Sequence, residues 1–77
     1  MTKTEILENL QDQMFNHYRD AFYWERQLDE DRARLKALRD ADGVFWTGLA
    51  LLGGKWSDRL VNARSQAINM ASYEFQN

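Results

Sequence analysis

Apolar side chains recur at alternating three- and four-residue steps along the first half of the chain. The seam reads Leu7, Leu10, Met14, His17, Ala21, Trp24, Leu28, Asp31, Leu35 and Leu38, with His17 and Asp31 its polar members. That period belongs to an amphipathic helix. The opposite side, Asn9, Asp12, Asn16, Arg19, Tyr23, Gln27, Glu30 and Arg34, is a solvent stripe, with Glu30 and Arg34 placed to pair at i,i+4. The pattern predicts one helix over about residues 4–41. Thr4 is its expected N-cap, Glu5 and Glu8 suit its positive end, and Gly43 stands just past its last turn. At 1.5 Å per residue it would be about 55 Å long. Ile6, Phe15, Tyr18 and Phe22 widen its apolar face on both sides of the seam. A face that broad needs more than one neighbouring helix. Beyond Leu28 it narrows to Leu35 and Leu38 among charged residues.

Val44 to Leu52 is apolar nearly all round, which predicts a short central helix over 44–52, buried on most sides or lying in an interface. Trp46 and the leucines around it are expected to be buried. Gly53-Gly54 closes that segment, and a last helix is expected over about 57–75 with Ser57 as N-cap. Leu60, Ala63, Ala67, Met70 and Ala71 form its narrow stripe of mostly small side chains, edged by Val61, Ile68 and Phe75. Its outer face, Asn62, Ser65, Gln66, Asn69, Ser72 and Tyr73, carries no charge. There is no Pro, and all four Gly lie between 43 and 54, so no strong breaker interrupts either flanking segment. The fold class is therefore all-α, one domain over 1–77. A long N-terminal helix, a short apolar central helix and a C-terminal helix form a helical hairpin expected to dimerise into a bundle.

Size sharpens that expectation. The chain has 77 residues, and below roughly 70–80 residues a single core rarely supplies more than ~3–5 kcal/mol. With no Cys and one His, disulfides are excluded and a zinc staple is not expected. Oligomerisation is the remaining common staple. The expected homodimer interface comprises Leu7, Leu10, Met14, Phe15, Tyr18, Phe22 and Trp24. A net charge of −2 fits neither a basic nucleic-acid binder nor a strongly acidic mimic of nucleic acid. The first residues lack the apolar run of a signal peptide, and no stretch reaches the ~20 apolar residues of a spanning helix. A cytoplasmic protein without a membrane role is expected.

Candidate chemistry changes this picture little. Gly53-Gly54-Lys55 does not meet the phosphate-loop pattern, because Leu49 stands where Gly is required and Trp56 where a hydroxyl is required. His17 is read as a half-buried seam residue near Asp20. Glu25 falls within the apolar face, expected to pair with Arg32, Arg59 or Arg64, and Asp31 is read as a register-fixing seam residue. Phe15, Tyr18, Phe22, Tyr23 and Trp24 crowd together, but Asp20 and Glu25 offset Arg19 and Arg26, so stacking on single-stranded nucleic acid is disfavoured. Arg32, Arg34, Lys36 and Arg39 alternate with acids as an ion-paired helix surface.

Trp46-Thr47-Gly48 stands between the helices. In this respect the chain resembles the secreted helical-hairpin proteins that carry a Trp-x-Gly turn. The resemblance implies a helix–turn–helix hairpin. It does not extend to their C-terminal signal, a Tyr followed four residues later by an acid, because Asn77 follows Tyr73 at that distance.

No nucleophile–base pair, metal set or cofactor loop supports an enzyme, and no cofactor is expected. The leading expectation is a small protein-interaction module, an inhibitor or adaptor of the compact kind that phages and mobile elements also encode. Its partner-binding residues are taken as Asn62, Ser65, Gln66, Asn69 and Tyr73, since charges are depleted at interface cores where Tyr is enriched. The alternatives are a dimeric nucleic-acid-associated regulator pooling Lys55, Arg59 and Arg64, and a structural assembly subunit.

Overall fold

A computed structural model describes residues 2–27 and 31–75. Among the described residues the chain is all-helical. Helix α1 spans Lys3–Arg26, α2 spans Asp31–Leu52 and α3 spans Ser57–Tyr73, with a 3-10 turn at Gly54–Trp56 leading into α3. Thr2, rather than Thr4, caps α1, its Oγ1 accepting the Glu5 N–H at 3.2 Å.

Two contacts at opposite ends fix the helix directions. Lys3 Nζ, at the start of α1, donates to the Leu52 carbonyl at the end of α2 at 3.3 Å. The Arg26 guanidinium, at the end of α1, donates to the Phe75 carbonyl just past α3. Hence α2 runs antiparallel to α1 and α3 runs parallel to it. At 1.5 Å per residue α1 is about 36 Å long, close to the 40 Å long dimension of the molecule.

The expected single helix over 4–41 is therefore two helices. The broad apolar face of α1 demands two neighbours, and folding back before Asp31 lets the chain supply both itself, α2 on one side and α3 on the other. Gly43 lies within α2 rather than beyond a helix end, and the separate central helix over 44–52 is the second half of α2. Trp46-Thr47-Gly48 is likewise helical, so the turn that the resemblance implies is not there. Leu28, Asp29 and Glu30, including the expected Glu30–Arg34 pair, lie outside the described residues.

The core joins Leu10, Met14 and Tyr18 of α1 to Ala41 and Leu52 of α2 and to Leu60, Ala63, Ala67 and Ala71 of α3. Ala21 and Ala37 are buried beside them. At Gly48 side chains from both other helices come close to the α2 backbone. A Cβ there would stand 2.8 Å from Leu10 Cδ1 and 2.9 Å from Leu60 Cδ2. Gly53 ends α2 with φ +81° and ψ 178°, its N–H still donating to the Leu49 carbonyl at 3.1 Å, a backbone conformation that glycine alone adopts readily. Ser57 opens α3 not as an accepting cap but as a donor, Oγ to the Gly54 carbonyl at 2.7 Å.

Trp46 corrects the expectation of a buried central segment, because it is 66 % exposed, and Leu51 is exposed as well. The side of α2 that touches α1 and α3 is lined by Ala41, Gly48 and Leu52, with Leu38, Val44, Phe45 and Leu49 packed partly against the core, so Leu35, Trp46 and Leu51 are the large apolar residues left outside. No helix among the described residues is long and apolar enough to cross a membrane.

Candidate protein-binding face

Leu60, Ala63, Ala67 and Ala71 face inward from α3 at three- and four-residue steps. The same spacing turns Asn62, Ser65, Gln66, Asn69 and Tyr73 outward, and all five are exposed. Between Arg59 and Glu74 the helix carries one charge, Arg64. That charge turns away from the outer face. Its Nε donates to the Tyr18 hydroxyl at 2.9 Å, its Nη2 lies 3.3 Å from Asp42 Oδ1, and its guanidinium packs over Phe45 at 5.1 Å. The Tyr18 hydrogen bond, opposed by partial burial and assisted by Asp42, holds the Arg64 pKa above its ordinary value. Arg64 is thus a half-exposed cation tied to α1 and α2, and the other residues of α3 from 60 to 73 carry no charge.

Gln66 is the member of the expected set with a side-chain partner, its Oε1 accepting from Gln11 Nε2 at 2.8 Å. The bond ties the face to α1. Farther along, Asn69 and Tyr73 join Phe15, Met70 and Glu74 in lining a shallow cleft where α3 meets α1. Met70 was expected in the buried stripe, yet it is 53 % exposed, and Tyr73 is 71 % exposed. The α3 seam needs only alanines at that level, so the longer side chain is displaced to the rim. Phe15, with Arg19 stacked at 5.6 Å on its ring, forms the opposite wall. Sequence reasoning found the α3 half of this face through its missing charges. It missed Phe15 and Met70, because their meeting depends on which side of α1 receives α3.

The residues expected to bury a second copy are placed differently. Leu10, Met14 and Tyr18 are buried within one chain, Leu7, Phe15 and Phe22 pack against that core, and Trp24 is half-buried. Leu10, Met14 and Tyr18 are covered by α2 and α3 of the same chain and the other four in part, so most of the demand that pointed to a partner on α1 is met internally. Glu25 is not held by Arg32, Arg59 or Arg64. It lies exposed, 3.5 Å from Arg34 Nη2. Asp31 is exposed at the first turn of α2 and belongs to no continuous seam. His17 is half-buried in a groove with Gln13, Arg39 and Asp40. Among the described residues no cluster of His, Asp or Glu could hold a metal ion. Of the three bases expected to be pooled for nucleic acid, Lys55 is exposed, Arg59 stacks over Trp56 at 4.5 Å, and Arg64 reaches Tyr18 of α1 and Asp42 of α2.

No family model matches the sequence, and comparison with curated proteins and with solved structures finds no match either.

Proposed function

We propose that this chain is a non-catalytic helical interaction module that binds another protein through the outer face of α3 and the cleft α3 shares with α1, acting as an inhibitor or adaptor in the cytoplasm. The observation that carries the reading is the set of exposed amides and hydroxyls from Asn62 to Tyr73 beside exposed Met70, with the one charge in that stretch, Arg64, drawn toward Tyr18 and Asp42. Amides cost less to desolvate than charges and still hydrogen-bond in a contact. Tyr is enriched among residues that dominate binding, and Met adapts to irregular surfaces. No cofactor enters this reading. Self-association belongs to it, but on a face other than the one α2 and α3 already cover on α1.

Placing Lys at Asn62, Gln66 and Asn69 together tests the reading. The triple variant is expected to keep its circular dichroism spectrum and thermal midpoint while losing the protein captured by the unaltered chain, with the loss repeated by calorimetry on the purified partner. Undiminished affinity of the folded triple variant would rule out this face.

A further inference from the structure

Helix α2 has a second seam that, among the described residues, stays open to solvent over most of its length, with Leu49 at one end packing partly against the core and Asp42 touched by Arg64. Leu35, Arg39, Asp42, Trp46 and Leu49 follow one another at four- and three-residue steps, so they line one side of the helix. The first four are exposed, Leu35 by 56 % and Trp46 by 66 %, and Leu49 is half-buried. An exposed Leu and Trp on one side of a helix, with a cation and an anion between them, have the make-up of a contact surface set among polar groups.

We propose that this seam docks on the same seam of a second copy of the chain, with the two α2 helices antiparallel about a twofold axis between residues 40 and 41. The inference rests on the self-association in the proposed function and not on the α3 face. Charge complementarity selects the occupant and the register. In an antiparallel pair about that axis, Leu35 of each copy faces Trp46 of the other, and Arg39 of each faces Asp42 of the other. An isologous contact must be self-complementary in this way. A register centred on residue 42 would instead oppose Asp42 to itself, and like charges in contact cost on the order of a hundredfold or more in affinity. Asp42 can serve both its own chain and the copy, because Arg64 uses Oδ1 and leaves Oδ2. Arg39 has no ion-pair partner among the described residues. An anionic lipid surface is a poorer occupant, since Asp42 lies in the middle of the seam and interfacial helices set basic residues on their polar face. The contact is short. Leu35 and Trp46 are eleven positions apart, about 16 Å of helix, so less area is buried than the ~800 Å² per partner of a standard interface. The dimer is accordingly expected to dissociate on dilution through the micromolar range.

The mass of the unaltered chain is therefore expected to double with rising concentration in light scattering, and Trp46→Ala, folded by circular dichroism, is expected to stay monomeric. The absence of Cys permits a test of register. Leu35→Cys chains mixed with Trp46→Cys chains keep one native Leu35–Trp46 contact per mixed dimer and bring the two thiols together, so mild oxidation is expected to yield the mixed covalent dimer. Either variant alone holds its thiols about 16 Å apart and is expected to remain uncrosslinked. A chain that is monomeric at every concentration overturns the proposal, as does a Trp46→Ala chain that still dimerises. Homodimeric crosslinks from one variant alone overturn the antiparallel register. Binding of the chain to phosphatidylserine vesicles that is lost in Trp46→Ala, with no doubling of mass, would give the seam to a membrane surface instead. The α3 triple Lys variant is expected to dimerise normally and Trp46→Ala to keep its protein partner, which separates failure of this inference from failure of the α3 face.

Discussion

Two glycines five residues apart in α2 do opposite things. Gly43 is exposed, and a Cβ there would meet nothing within 4 Å. It therefore contributes only the entropic penalty of glycine in a helix, and Gly43→Ala is expected to raise stability by about 0.5–1 kcal/mol in urea unfolding. Gly48 sits between the buried side chains of Leu10 and Leu60, and Leu60 is fully buried. Added methyl groups must displace both leucines at once. Gly48→Val is expected to cost about 1–3 kcal/mol by overpacking, visible as a lower denaturation midpoint. Trp46 lies two positions before Gly48 on the outer side. Trp46→Ala is expected to shift the unfolding free energy of the monomer by no more than about 0.5 kcal/mol, the range of ordinary surface substitutions, when measured at a concentration too low for self-association. A core Trp would cost ~3–5 kcal/mol, so this measurement separates the two placements directly.

At the scale of elements, the ends of α2 were legible to different degrees. Gly53-Gly54 is a recognisable stop, and the structure uses it through φ +81° at Gly53. With ψ at 178°, that residue occupies a region open essentially to glycine alone. Gly53→Ala is expected to cost on the order of 1–3 kcal/mol and to lower the thermal midpoint, whereas Gly54→Ala, at a position without positive φ, is expected to cost less. The start of α2 was not legible in the apolar pattern. Trp24, Leu28, Asp31, Leu35 and Leu38 keep the helical period straight across the place where α1 ends and α2 begins. No Gly or Pro marks it. The one local cue is the acidic run Asp29-Glu30-Asp31, of the kind a helix N-terminus favours. Periodicity reports which residues share a face while a helix lasts, and it is silent on whether the chain turns back. The same silence explains the α1 interface. The wide face from Ile6 to Phe22 correctly demanded two neighbours, but width cannot tell a second copy from the chain's own α2. For the α3 face the signal was compositional, an outer surface without charge. It survived because it depends only on the helix period and not on how helices are arranged.

Across the whole molecule the buried side chains are graded from one end to the other. Leu52 and Leu60, two of the three largest fully buried side chains, lie with Leu10 and Ala63 toward the end where α2 passes into α3, and Met14, the third, lies at the middle of α1. Toward the other end, where α1 passes into α2, the buried positions beyond Tyr18 are Ala21, Ala37 and Ala71, with Ala41 and Ala67 nearer the middle. Alanine permits close helix approach but removes little apolar area from water, and stability scales with that area. Opening free energies differ across a structure when apolar contacts do, so the two ends are expected to open unequally. In hydrogen exchange read by mass spectrometry, peptides covering Leu49–Leu52 and Leu60–Arg64 are expected to exchange more slowly than peptides covering Arg34–Leu38. Leu60→Ala removes the best-buried leucine at the strong end, a loss of ~2–5 kcal/mol, against the few kcal/mol a core of this size supplies. That variant is expected to be largely unfolded by circular dichroism at 25 °C. Ala37→Gly at the weak end costs about 1 kcal/mol, and it is expected to leave the fold in place while speeding exchange in the first half of α2 more than in α3. Uniform exchange along α2, or a folded Leu60→Ala chain, would show that the alanine end holds the bundle together as firmly as the leucine end.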